Sequence, residues 1–328
     1  MFVKVKSVDI KRAFSDISTL GCDTVAFTTE NRKLVISSGT TILYENILDC
    51  TEISDYTETV INVQYLDLTD LLGDKDDVKL TFTQYSVELS YRTLEVSLNM
   101  SDTVIQRPTN TDTPNALTNA SALQLAVGLF KSLGVFQKTL QMERPLQIFG
   151  DYGLLQFPTV WVRVRSSDLR TVLTREQALV IGKFKPESYS ETNVITLYRD
   201  TAKMVIPIVP VPDGDEFVTL VSTMTSYGTK TTKGLLARVK RLSTTLGVCD
   251  CDVYIGESTL HFAVRKNNMS IVDKSDDVIQ NSFTTRLEYL VAFFAMLGSD
   301  SDIEVLMNDN GNVCLRNANV SIIMSTGR

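Results

Sequence analysis

One arrangement recurs six times along the 328 residues of this chain: a short amphipathic helical stretch, then alternating strands, at intervals of about 55 residues. The helical stretches begin near Val8, Leu66, Ala122, Leu169, Thr232 and Thr285, and give way to runs such as Val78-Lys-Leu-Thr-Phe-Thr and Asp252-Val-Tyr-Ile. A unit of this size cannot bury its own apolar face, so the repeats must stack into an array. Function is then expected from the shape of the array.

Charge divides along the same lines. The six helical stretches (8–20, 66–72, 121–140, 168–185, 230–242 and 285–297) hold fourteen Lys or Arg against seven Asp or Glu, while the whole chain carries −7. Everything outside the helices therefore sums to −14. A protein that gathers its basic residues on helices presents two electrostatically different surfaces, and the positive one suits a polyanion held without base-specific readout.

With 43% hydrophobic and 22% charged residues, the composition is that of an ordinary globular protein of two or three domains. No stretch reaches the roughly 20 apolar residues that span a bilayer, and the opening Met1-Phe-Val-Lys-Val-Lys reads as a strand, not a signal peptide. A cytoplasmic location with no membrane partner is expected. Five cysteines give no disulfide framework, and Cys249 and Cys251, one residue apart, do not have zinc-site spacing, so both are read as buried or strand-alternating thiols.

Along the chain, Phe2 to Lys6 reads as a strand and Ser7 as an N-cap. Val8, Ile10, Phe14, Ile17 and Leu20 form a helical apolar face that Gly21 ends. Strands follow at 24–29, 33–37 and 41–48, the first two joined by a tight turn at Glu30-Asn-Arg. The second repeat has a strand at 59–63, a helix at 66–72 and strands at 78–83, 86–91 and 94–100. Residues 101–119, with Pro108 and Pro114, read as a linker. A long helix is expected at 121–140, strands at 146–149 and 159–165, a helical segment at 168–185, and strands at 194–198 and 203–209. Pro207, Pro210, Pro212 and Gly214 mark a second junction. The last third reads as a basic helix with Lys230, Lys233, Arg238, Lys240 and Arg241, strands at 251–255, 259–265 and 270–273, a helix at 285–297, and strands at 303–308, 312–316 and 321–324.

Catalytic constellations are missing. The one histidine, His261, sits inside a strand pattern and reads as a sheet-surface residue; no Gly-x-Ser-x-Gly elbow accompanies it. Gly228 and Gly234 are isolated and form no phosphate-binding loop. The clusters Asp74, Asp76, Asp77 and Asp300, Asp302 read as solvated turns rather than a metal site. No enzyme, cofactor or metal is expected.

In the last third, Lys233-Gly-Leu-Leu-Ala-Arg-Val-Lys-Arg-Leu leads to Asp252-Val-Tyr-Ile-Gly-Glu-Ser-Thr-Leu-His-Phe-Ala-Val. Arg286-Leu-Glu-Tyr-Leu-Val-Ala-Phe-Phe-Ala-Met-Leu and Asp302-Ile-Glu-Val-Leu-Met then run to a terminal strand. On these runs the chain resembles the DNA sliding clamps, the processivity rings of DNA polymerases, in their three-domain bacterial form. The resemblance implies an α+β fold of three consecutive clamp-type domains, 1–104, 105–212 and 213–328. Each would hold two βαβββ units, with helices lining a ring interior and sheets outside.

The resemblance further implies a homodimer around duplex DNA, a DNA polymerase as partner, and a clamp loader or RNA polymerase as further candidates. A transcription recruitment platform and a non-DNA scaffold are the alternative roles. Two departures stand out: the 66–72 stretch carries Asp67 and Asp70 with no base, and the tail Val320-Ser-Ile-Ile-Met-Ser-Thr-Gly-Arg lacks the family's apolar, proline-bearing end. A specialised viral clamp would account for both. Because the basic excess lies in the last two thirds, Lys131, Lys138, Arg175, Lys183, Lys233, Arg238, Lys240 and Arg241 are the candidate DNA contacts. By resemblance, Leu242, Phe262 and Val264 should meet Leu94, Val96 and Leu98 of a second chain. Val162, Val164, Pro210, Val218, Leu220, Ile322 and Met324 should build a groove for a partner peptide.

Overall fold

A computed structural model describes residues 1–108, 113–132, 144–212, 216–266, 269–272, 277–297 and 301–326. The chain packs as two compact units, 1–120 with 179–208 and 121–178 with 209–328. The boundary falls inside the expected middle domain. Strand pairing explains this, because half of that domain continues the first sheet and half continues the last.

The strands of unit 1 are β1 (Phe2–Lys6), β2 (Thr24–Glu30), β3 (Lys33–Gly39), β4 (Leu43–Ser54), β5 (Thr59–Gln64), β6 (Asp77–Phe82), β7 (Ser86–Tyr91), β8 (Leu94–Asn99), β9 (Asn115–Ala116), β14 (Ser188–Glu191), β15 (Val194–Arg199) and β16 (Ala202–Pro207). They form a sheet in the order β8-β7-β6-β1-β4-β16-β15-β14-β9, with β2, β3 and β5 attached at β4. Twelve-residue β4 joins the first repeat to the fourth: Leu43 to Asn46 pair with β16, while Cys50 to Ser54 pair with β1 of the same repeat. Helix α1 (Ser7–Ile17) buries Ile10, Ala13, Phe14 and Ile17, the i, i+3, i+4, i+7 face that apolar spacing dictates. Val8, by contrast, is 44% exposed. Ser7 is the first helical residue, not the cap; its hydroxyl donates to the Lys75 carbonyl. The Glu30-Asn-Arg turn has Asn31 and Arg32 at φ 47° and 59°, the left-handed pair of a tight hairpin.

The expected helix at 66–72 is one turn, with the Leu72 N–H bonded to the Leu68 carbonyl. Only Leu68 and Leu72 are buried, and Asp67 Oδ1 accepts from the Thr69 N–H, a local bond that competes with helix propagation. The stretch read as a linker is tied down over its described part. The Ser101 N–H bonds the Asn62 carbonyl, and Arg107 is held by Glu30 and by the buried Glu45, each at 2.7 Å.

In unit 2 the strands are β10 (Leu146–Phe149), β11 (Tyr152–Gln156), β12 (Val160–Arg165), β13 (Arg170–Leu173), β17 (Thr225–Lys230), β18 (Asp250–Gly256), β19 (Leu260–Lys266), β20 (Met269–Val272), β21 (Ile279–Arg286), β22 (Ile303–Met307), β23 (Asn312–Arg316) and β24 (Val320–Ser325). They form an eight-stranded sheet, β13-β10-β11-β12-β24-β23-β22-β17, and a four-stranded sheet, β20-β19-β18-β21. Pairing of β12 with β24, Val162 opposite Ile322, ties the second repeat pair to the third. Helices α2 (Ala120–Val127), α3 (Leu129–Ser132), α6 (Leu235–Leu246) and α7 (Leu287–Leu297) supply the helical side, with α7 against both α6 and α3. α2 sits close on β11 because Gly153 leaves room: a Cβ there would lie 3.1 Å from that of Ala126. The segment read as helical at 168–185 splits into β13 and α4 (Arg175–Phe184). On the opposite sheet face, α5 (Glu216–Ser222) covers Tyr152, Leu154, Leu306, Cys314 and Ile323 with Phe217.

Candidate nucleic-acid and partner interfaces

The strongest basic element is α6. It starts after Gly234 at φ 76°, and Leu235, Val239 and Leu246 bury one face. The Lys266 ammonium donates to the Leu246 and Val248 carbonyls, placing a cation on the negative end of the helix. Lys233, Arg238, Lys240 and Arg241 are all exposed. They do not share one face. Lys240 projects from the helix and Lys233 precedes its first turn, whereas Arg238 and Arg241 border an apolar cavity with Leu242. Lys131, Arg175 and Lys183 are exposed on α3 and α4, and Lys138 lies outside the described residues.

Other helices contribute less positive surface than their composition suggests. On α1, Lys11 pairs with Asp74 at 2.8 Å and Arg12 with Asp200 at 2.6 Å. α7 carries no base and is buried over most of its length. Lys230 lies in strand β17, 2% exposed, its ammonium bound by the Glu257 carbonyl and the Gln280 side chain.

Sheet edges form a second feature. β8 ends the unit 1 sheet, with Leu94 and Val96 half-buried and Leu98 at 3% exposure. β20 ends the four-stranded sheet of unit 2, with Ile271 and Val272 exposed at 37% and 54%. Beside it, Leu242, Phe262, Ile271 and Val272 line a cavity of about 210 Å³ rimmed by Arg238 and Arg241. Phe262 reaches it from a nearly buried position, while Val264 is fully buried and presents no surface. Sequence reasoning does not single out Ile271 and Val272. Two adjacent apolar residues ending a short strand are the available signal.

The seven groove candidates are not brought together. Val162, Val164, Ile322 and Met324 are at most 1% exposed and lie on the sheet face toward α7, where Met324 Sδ accepts from the Thr285 hydroxyl at 3.3 Å. Val218 and Leu220 belong to α5 on the other face, and Pro210 is exposed on the connection. Strand parity causes the separation: alternate residues of β12 and β24 serve opposite faces, and the even-numbered set is core.

His261 is not a surface residue. It is 5% exposed, its Nε2 3.3 Å from Asp277 Oδ2. Desolvation raises the Asp277 carboxyl, but bonds from the Ser258 N–H, His261, the Ser258 hydroxyl and the Glu257 N–H outweigh it and hold it down at about 2. The Ser258 hydroxyl donates to Asp277, not to His261, so the three groups form no nucleophile-base relay. No cluster of three or more metal-ligating side chains occurs among the described residues.

No protein-family model matches this sequence, and no curated protein matches it. Its structure does have counterparts. The chain superposes over its whole length on all of Caulobacter crescentus pol III beta, with TM-score 0.78 and 10% identity. The Helicobacter pylori beta clamp bound to a DNA ligase peptide gives TM-score 0.73 and 14% identity, again with both chains fully covered. The DNA polymerase III beta subunit of Thermotoga maritima gives 0.74 and 10%, covering 99% of that chain. The fold is the β-clamp fold from end to end.

Proposed function

We propose that this chain is a DNA sliding clamp. Two copies, each contributing three clamp-type domains (1–104, 105–212 and 213–328), close into a ring on duplex DNA and tether a DNA polymerase. The observation that carries the reading is the full-length likeness to bacterial clamps, with no part of either chain left over. The ring does no chemistry. It raises the effective concentration of the polymerase at its template, so processivity follows from topology and tethering.

Two features support the closure. Each unit ends in a strand edge with half-exposed apolar side chains, β8 in unit 1 and β20 in unit 2. Unpaired edges invite pairing, and a head-to-tail contact of β8 with β20 of a second chain removes both. Exposed Lys233 and Lys240 supply sequence-independent attraction for phosphates. The reading is tested by solution mass together with primer extension: it requires twice the chain mass and longer products from the partner polymerase. A monomer that leaves product length unchanged excludes it.

A further inference from the structure

A cationic row crosses the sheet face opposite the helices. Arg163 in β12 lies opposite Ser321 in β24, and Ser321 lies opposite Arg316 in β23. Directly opposed residues project from the same face, so two guanidinium groups flank one hydroxyl across two strand spacings, about 10 Å. Arg165, two residues further along β12, adds a third cation. With Asn317 and Asp151 they line a cavity of about 460 Å³.

The groups are poised for a ligand. Arg163 stacks 3.9 Å over the Tyr152 ring, and among the described residues neither Arg163 nor Arg165 has a side-chain ion pair. Asn317 Oδ1 accepts from the Asn319 and Val320 N–H groups at 2.9 and 2.8 Å, which leaves its amide nitrogen as the end able to bind. Stacking on Tyr152 fixes the Arg163 fork, and a fixed fork matches a carboxylate with two parallel bonds.

We propose that this cavity is an oxyanion site that takes an Asp or Glu side chain from an acidic peptide of a partner protein. A nucleic-acid backbone fits less well. Asp151 stands on the rim, and Glu304 stands opposite Arg316 and is bound to it at 2.8 Å, so a continuous phosphate chain would meet carboxylates as it left the pocket. Bases would find no platform either, because Phe149 stacks at 4.8 Å on Tyr152 and Arg163 lies over the same ring. The site does not depend on ring closure.

Trp161, the single tryptophan of the chain, packs on this same face two residues from Arg163, about 7 Å along the strand, and reports occupancy. Full-length protein is titrated with a fluorescein-labelled Asp-Gly repeat peptide, following Trp161 emission and peptide polarisation. Saturable binding is expected, weakened at least about tenfold in Arg163→Gln and in Arg165→Gln and unchanged in Lys33→Gln, an exposed lysine of unit 1. Arg165 is exposed, so its variant keeps the test valid if Arg163→Gln fails to fold. Absence of saturable binding, equal binding by both arginine variants, or displacement of the peptide by equimolar oligothymidylate or inorganic phosphate would overturn the proposal.

Discussion

Arg199 and Asp16, 183 residues apart in sequence, meet at 2.5 Å inside unit 1. Their side chains are 10% and 8% exposed, and the Tyr44 hydroxyl donates to the same carboxylate oxygen at 3.0 Å. The pair ties helix α1 of the first repeat to strand β15 of the fourth. Burial outweighs both bonds, so the Asp16 carboxyl titrates above its usual value.

Arg199→Met should therefore cost about 3–5 kcal/mol in urea unfolding at neutral pH, since it strands a buried carboxylate. Asp16 is an acid with a raised folded value, so it takes up a proton on folding, and its contribution to stability falls as pH rises above 3.8. Losing Arg199 raises it further. The deficit of the variant should thus shrink as pH is lowered from neutrality toward 3.8; a deficit independent of pH would contradict the buried-carboxylate account.

Asp277 has the opposite sign. Held at about 2 in the folded chain, it contributes stability above 3.8 that is lost as pH falls toward 2. Asp277→Asn should flatten the acid limb of the stability curve over that interval. An unchanged limb would show that the bonds from Ser258 and His261 do not persist in solution.

Charge reversal of Lys233 and Lys240 should weaken binding to duplex DNA at every sequence alike. It should also reduce the salt dependence by roughly one unit of slope for each phosphate that is no longer neutralised. Both residues are exposed, so thermal unfolding serves as the control for an intact fold. An unaltered slope would remove these two lysines from the proposed DNA interface.

At the β20 edge, Val272→Asp should dissociate the proposed dimer without unfolding the chain, because Val272 is 54% exposed in the single copy. Closing the edge over a carboxylate costs several kcal/mol, so the dissociation constant should rise at least about a hundredfold by analytical ultracentrifugation. Wild-type self-association in this variant would place the interface elsewhere.

Sequence alone locates β7, where a wet face alternates with a dry one, at Ser86 to Tyr91, and β23, a short apolar run between polar residues, at Asn312 to Arg316, as expected. It misses β17 and β21, whose residues, such as Thr225-Ser-Tyr-Gly-Thr-Lys, are mostly polar because each is an edge strand and few of its positions need to be dry. Helix α5 is hidden too, since its single buried anchor, Phe217, gives no periodicity. The basic residues of α6 are legible by type, but their division between two faces needs the helix phase fixed by Leu235 and Val239. The face expected for Val162 and Ile322 is the wrong one because both faces of β12 and β24 carry apolar residues, so alternation gives no direction. Asp16 meeting Arg199 has no local signal at all.

Enclosure of DNA is a topological property, and retention on DNA separates it from affinity. Protein assembled on nicked circular DNA and washed at high salt should stay bound, then fall off when a restriction enzyme linearises the circle, because a ring held by enclosure and not by affinity slides off an open end. Equal retention on circular and linear molecules, or loss from both in the salt wash, would contradict a sliding clamp.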